Sequence, residues 1–94
     1  MLIINGTAEL MRDSKELIAG TRHEFNLFSN ETPFEEQLIQ IEDYLMNLGW
    51  DNIEVLSNGI VTSADDITHS ILKQAYDKAK EEGFSVVINN QPLI

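Results

Sequence analysis

Residues 32–49 read TPFEEQLIQIEDYLMNLG, and this stretch decides the fold class of the chain. Thr32 and Glu35 form a capping box, a pattern that begins many helices. Apolar residues then recur at steps of three and four along one side, and they are Phe34, Leu38, Ile41, Leu45 and Leu48. Gly49 readily adopts the left-handed conformation that ends a helix. The stretch therefore predicts an amphipathic helix over residues 33–48.

A second capping box, at residues 63–66, predicts a second helix over residues 64–82. Its apolar residues share one side, and they are Ile67, Ile71, Leu72, Ala75, Tyr76 and Ala79. Gly83 follows as the residue that ends the helix.

A hairpin is predicted between the two helices. Asn58 and Gly59 separate residues 51–57 from residues 60–62, and both of these runs are rich in β-branched residues. An Asn-Gly pair in this position is typical of a tight turn between two strands.

Three further segments have the pattern of strands. Residues 84–88 are almost continuously apolar, which predicts a strand in the interior of the sheet, and Pro92 ends its pairing. Residues 2–4 are apolar, and apolar and polar residues alternate over 22–28. This alternation is typical of a strand with one buried face.

Residues 5–20 leave two interpretations open. In the first, Asn5 and Gly6 turn a hairpin between two strands. In the second, the helix propensity of residues 8–19 gives a short helix that ends at Gly20. We favour the strand-rich interpretation because residues 21–28 need a neighbouring strand for their backbone hydrogen bonds.

These elements predict a single α+β domain over residues 1–94. We expect a two-layer sandwich: a mainly antiparallel or mixed sheet of four to six strands, with helices 33–48 and 64–82 on one face. One core between the helices and the sheet would then contain Leu38, Ile41, Leu45, Ile71, Ala75, Val86 and Val87.

Negative charge is concentrated in the middle of the chain. Residues 23–72 hold ten of the sixteen acidic residues and none of the six lysines and arginines, and the net charge is −10. Binding to nucleic-acid phosphates or to anionic membranes requires clustered basic residues, so the charge argues against both. It favours a protein partner with a basic surface, or a purely solubilising role.

The composition restricts the chemistry further. The chain contains no cysteine, which excludes a disulfide framework and thiolate catalysis. No apolar run reaches the ~20 residues of a membrane helix. The sequence has neither a glycine-rich phosphate-binding loop nor a nucleophile elbow. We therefore expect a cytoplasmic protein with no cofactor, and we do not expect an enzyme.

The only metal-like spacing is formed by Asp65, Asp66 and His69. On a helix these residues are three and four apart, so their side chains converge and offer ligands for zinc or manganese. Both carboxylates would also lie in the first helical turn, where the helix dipole favours acids. We favour this capping role and retain the metal site as a weak candidate.

His23 and His69 are the two histidines, and they are the side chains that can act as a base near neutral pH. His23 shares a strand face with Phe25 and Leu27, a pattern typical of a histidine at the edge of the core. We favour that structural role over a catalytic one.

The outer side of helix 33–48 is the candidate binding surface. Glu36, Asp43 and Asn47 lie opposite the apolar side of this helix, and Ile39 and Met46 lie beside them. An apolar pair bordered by carboxylates matches the composition of a protein-binding surface. In the alternative, Ile39 and Met46 pack under a neighbouring loop or strand.

The end of the chain resembles the barstar family of small acidic ribonuclease inhibitors. The resemblance covers Lys78-Ala79-Lys80-Glu81-Glu82-Gly83, followed by Val86-Val87-Ile88, and the opening Ile4-Asn5-Gly6. It spans about a quarter of the chain. Residues 23–28 depart from that family, which is helical there, and the resemblance assigns no residue a role.

We interpret the chain as a small acidic intracellular domain of the protein-interaction or inhibitor type, which binds a basic partner through an acidic helix face. The interpretation extends to a source in a phage or mobile element. The alternative is a small structural or accessory domain with no ligand beyond its own oligomer. An enzyme or small-molecule binder centred on His23 or His69 is the least favoured hypothesis.

Overall fold

The computed structural model describes residues 1–13, 17–30, 34–63, 65 and 67–93. Its elements are β1 (Leu2–Leu10), β2 (Arg22–Ser29), α1 (Phe34–Asn47), β3 (Trp50–Ile60), α2 (Ser70–Glu82) and β4 (Phe84–Ile88). The four strands form one antiparallel sheet in the order β3-β1-β2-β4. The predicted α+β class, the antiparallel sheet and the two helices are confirmed.

The two helices lie on opposite faces of the sheet. Ile41 and Leu45 of α1 pack in the core that contains Leu27, whereas Ala75 of α2 packs with Phe28. Adjacent residues of a strand point to opposite faces, so these two cores lie on the two sides of β2. The prediction that both helices share one face is therefore wrong, because helical periodicity shows which side of a helix is buried but not which sheet face it covers.

The predicted single core is likewise divided in two. The larger core consists of Leu2, Ile4, Ala8, Leu10, Phe25, Leu27, Ile41, Leu45 and Trp50, with Val86 packed against it. The smaller core contains Phe28, Ala75 and Ala79, with Val87 packed against it. Ile71 belongs to neither core, since 53% of its surface is exposed.

β1 is one continuous strand through Asn5 and Gly6, and it pairs with β2 along its length. The strand-rich interpretation of residues 5–20 is confirmed in that β2 has a neighbouring strand, but the predicted turn at Asn5-Gly6 does not form. The alternative is wrong, because the described part of residues 8–19 contains no helix. A Cβ atom at Gly6 would overlap the carbonyl oxygen of Glu54 and lie 2.9 Å from the ring of Phe25. The glycine permits close approach of the neighbouring strand rather than a turn.

β3 is also continuous, so the predicted hairpin at Asn58-Gly59 is wrong. Asn58 and Gly59 pair with Ile4 and Ile3 of β1 inside the sheet. The register of this pair shifts twice, and Asn52 has a positive φ of 47° near one of the shifts. Pairing with β1 thus overrides the local turn preference of the Asn-Gly sequence.

β4 lies at an edge of the sheet, and not in the interior as predicted. Phe84 and Val86 pack against the larger core, whereas Val87 packs against the smaller one. Both faces of β4 are therefore covered. Its continuous apolar sequence reflects these two covered faces and carries no information about its lateral position.

Helix α1 lies within the predicted helix 33–48 and ends one residue earlier, but α2 begins six residues later than predicted. The hydroxyl of Ser63 accepts a hydrogen bond from the backbone N–H of Asp65 (3.2 Å), which forms a local turn ahead of the helix. Gly49 and Gly83, with φ of 96° and 97°, follow the two helices as predicted. Within the described residues, neither helix has the length and apolar sequence needed to cross a membrane.

Candidate functional site

α1 and β3 together form what we call the acidic flank. Of the strands, β3 is the one on which α1 packs most closely. The two elements contain six acidic residues and no lysine or arginine. Helix α2, on the opposite face, contains three lysines and three acidic residues. The charge imbalance of the sequence is therefore also an imbalance in space, and it centres on one side of the domain.

The predicted binding residues lie on the exposed side of α1. Ile39 is 74% exposed and Met46 is 51% exposed, and Asp43 and Asn47 are exposed beside them. The alternative in which Ile39 and Met46 pack under a loop or strand is wrong. Glu36 belongs to α1, but its side chain lies outside the described part of the structure.

Tyr44 fixes the rotation of α1 about its axis. Its ring stacks on Phe84 of β4, with centroids 5.4 Å apart and planes at 29°. Burial raises the pKa of the Tyr44 phenol above its ordinary value, and the nearby carboxylate of Glu82 adds to this increase. Ile39 and Met46 are about half a helical turn away from Tyr44, so they point away from its contact with Phe84.

A groove of about 180 Å³ continues this surface beyond the end of α1. Met11, Arg12, Met46, Gly49, Trp50 and Asp51 line it. Met11 is half exposed, so two methionines border the groove. The Arg12 side chain lies against Gly49, with its Nε atom 3.1 Å from the position that a Cβ atom would occupy.

No pattern in the sequence indicates Met11 and Arg12 as site residues. Both belong to the connection between β1 and β2, and they reach Met46 only because the sheet places this connection beside the end of α1. A hydrogen bond from the N–H of Met11 to the carbonyl oxygen of Gly49 (2.9 Å) fixes the two segments together.

His23 is fully buried, as expected for a core residue. Its Nδ1 atom lies 2.7 Å from the carbonyl oxygen of Asn89, and its Nε2 atom lies 2.9 Å from the hydroxyl of Thr21. The ring also makes an edge contact with Trp50, with centroids 5.4 Å apart. Both ring nitrogens therefore have partners, and this environment favours a structural role for His23.

The weak metal candidate required its ligands to lie on one helix, and the structure does not place Asp65 and His69 in that way. Asp65 and His69 precede α2, so they do not occupy successive turns of one helix, and Asp66 lies outside the described residues. Among the residues that the structure describes, no group of three or more potential ligands comes together. His69 is exposed and caps α2 without a side-chain hydrogen bond. It borders a groove of about 390 Å³ that is also lined by Glu24, Asn26, Ile71, Leu72, Val87 and Asn89.

No protein-family model, curated protein or solved structure matches the chain.

Proposed function

We propose that this chain is a protein-interaction or inhibitor-type domain that binds a partner with a basic surface through the outer side of α1. One observation carries the proposal: Ile39 and Met46 are exposed on a helix whose remaining outer side is acidic. Large apolar side chains grouped within a charged surface are typical of binding sites.

The two kinds of residue have different roles in this proposal. Exposed carboxylates such as Glu42 and Asp43 attract a basic partner and speed its approach. Ile39 and Met46 become buried on contact and supply most of the binding free energy. The groove beside Met46 gives room for an apolar side chain of the partner next to Trp50.

The experiment compares three proteins as immobilised baits in a lysate of the native host: the wild type, Glu42→Lys/Asp43→Lys, and Asp77→Lys/Glu81→Lys. All four substituted positions are exposed, and both double variants change the net charge equally. The control reverses one aspartate and one glutamate on α2 instead of α1. We expect a basic protein that the wild type and the α2 control retain and that the α1 variant loses.

Met46→Ala separates the apolar contribution from the charge. We expect this variant to release the same partner faster, while its rate of association stays close to that of the wild type. A partner that all the variants retain equally would contradict the proposal. Concentration-dependent self-association in place of any partner would support the alternative of a structural domain that binds only its own copies.

A further inference from the structure

The outer edge of β3 has no strand beside it among the described residues. β3 is the longest strand of the sheet, with eleven residues, and it pairs on its other side with β1. An edge strand presents backbone N–H and C=O groups on which another strand can form hydrogen bonds. β4, at the opposite edge, is five residues long and is soon followed by Pro92.

The hydrogen-bond pattern shows which residues of β3 face outward. The N–H of Val61 donates to the carbonyl oxygen of Met1 (2.8 Å), so these two residues form a hydrogen-bonded pair. In an antiparallel pair, hydrogen-bonded and non-hydrogen-bonded positions alternate. In the register that pairs Leu2 with Ile60 and Ile4 with Asn58, the amide groups of Ile60 and Asn58 therefore point away from β1.

The side chains of this edge fit a particular kind of strand. β3 contains neither lysine nor proline, the residues that commonly protect an edge, but it carries Asp51 and Glu54. Leu56 is 55% exposed and Ile60 is 59% exposed. Ile39 and Met46 are exposed on α1, the helix that packs on β3.

Charge decides between the possible occupants. Two copies of this chain, each with a net charge of −10, would bring two acidic flanks together and repel one another. A segment with lysine or arginine at alternate positions would instead be attracted by the carboxylates of β3 and α1. Its intervening apolar side chains would contact Leu56 and Ile60.

We infer that the outer edge of β3 binds an extended, basic segment of the partner, which adds to the sheet as a fifth strand. This inference rests on the proposed function and deepens it, since the same partner contacts Ile39 and Met46 of α1. Residues 57–60 of β3 pair with β1 in unbroken register, because both register shifts lie in earlier residues of the strand. Backbone hydrogen bonds supply part of the affinity, and alternate side chains supply the specificity.

The test uses a synthetic peptide of alternating lysine and valine, with blocked ends, as the probe. Amide hydrogen exchange of the full chain is followed by NMR at ~0.01 M salt, where charges are weakly screened. We expect exchange at Asn58 and Ile60 to slow by about tenfold or more when the peptide is added. Exchange at Gly59, whose N–H already faces β1, should change little.

The matched control is a peptide with the same charge that is N-methylated at alternate residues. It cannot donate backbone hydrogen bonds from one of its two edges. We expect it to bind about tenfold more weakly. Ile60→Pro, compared with Ile60→Ala, makes the same test from the protein side, because alanine removes the side chain and keeps the N–H. Equal binding of the two variants, each checked for folding by its exchange pattern, would contradict the inference.

If the peptide fails to bind, or binds without slowing exchange at Asn58 and Ile60, the inference about the β3 edge is wrong. If the peptide binds without slowing exchange and Asp43→Lys weakens its binding, the proposed function is still supported. The two claims can therefore fail separately. Slow exchange at both amides in concentrated protein without peptide would identify a second copy as the occupant and overturn the inference.

Discussion

The Nδ1 atom of His23 lies 2.7 Å from the carbonyl oxygen of Asn89 and joins β2 to the residue that follows β4. A carbonyl oxygen only accepts hydrogen bonds, so Nδ1 is the donor. In a neutral ring, Nε2 is then unprotonated, and it competes with the carbonyl oxygen of Ile18 (2.6 Å) for the hydroxyl proton of Thr21. One buried side chain thus connects the turn before β2 to the edge of the sheet.

His23→Phe tests this connection. Phenylalanine fills a similar space but removes the hydrogen bonds of the buried ring to Thr21 and Asn89, so we expect the free energy of unfolding to fall by about 1–3 kcal/mol. Urea denaturation measures the change. His69→Phe, at an exposed position, is the control and should cost less than about 0.5 kcal/mol. Equal effects of the two substitutions would show that the His23 hydrogen bonds contribute little.

Leu45→Ala and Ile71→Ala test the assignment of the cores. Leu45 is fully buried in the larger core, so its truncation should cost about 2–4 kcal/mol through lost burial and the cavity that remains. Ile71 belongs to the apolar pattern of α2 as Leu45 belongs to that of α1, but its side chain is half exposed. We therefore expect its truncation to cost less than about 1 kcal/mol. A larger loss at Ile71 than at Leu45 would contradict the assignment.

Gly6→Ala tests the close approach of β1 and β3. The added Cβ overlaps the backbone of Glu54, which cannot move without disturbing the sheet, so we expect a loss of about 2 kcal/mol or more. Gly59 lies on β3 with no atom within 4 Å of a Cβ position, and Gly59→Ala should be neutral or slightly stabilising. Thermal unfolding of both variants measures the difference, and similar melting temperatures would refute the explanation for Gly6.

Tyr44 gives the domain a pH dependence at alkaline pH. Its pKa is raised in the folded state, so folding favours the neutral phenol. The resulting stability is complete below the unfolded pKa of about 10 and is lost as the pH rises through the folded pKa. We expect the wild type to lose more stability than Tyr44→Phe between about pH 9 and pH 12. Identical losses in the two proteins would show that Tyr44 makes no contribution.

Periodicity predicted those features of the fold that depend on one element alone. The side of α1 that contains Ile41 and Leu45 is buried, and Ile39 and Met46 are exposed, as their positions on the helix indicate. The buried alternation of His23, Phe25 and Leu27 in β2 is also confirmed. These features follow from the geometry of a single helix or strand.

Features that depend on two or more elements could not be predicted in the same way. The Asn-Gly pairs at residues 5–6 and 58–59 have strong turn preferences, yet both lie within strands because pairing along β1 outweighs those preferences. The groove beside Met46 requires Arg12, which arrives from a distant connection. Neither feature leaves a periodic signal in the sequence.

The association rate of a captured basic partner, measured at ~0.01 M and ~0.15 M salt, shows whether the acidic flank guides binding. The wild type and Asp77→Lys/Glu81→Lys should both associate more slowly at the higher salt concentration, because salt screens the attraction of the acidic flank. Glu42→Lys/Asp43→Lys should associate slowly at both concentrations. If all three proteins show the same rate and the same salt dependence, the acidic flank does not guide binding, and the account is wrong.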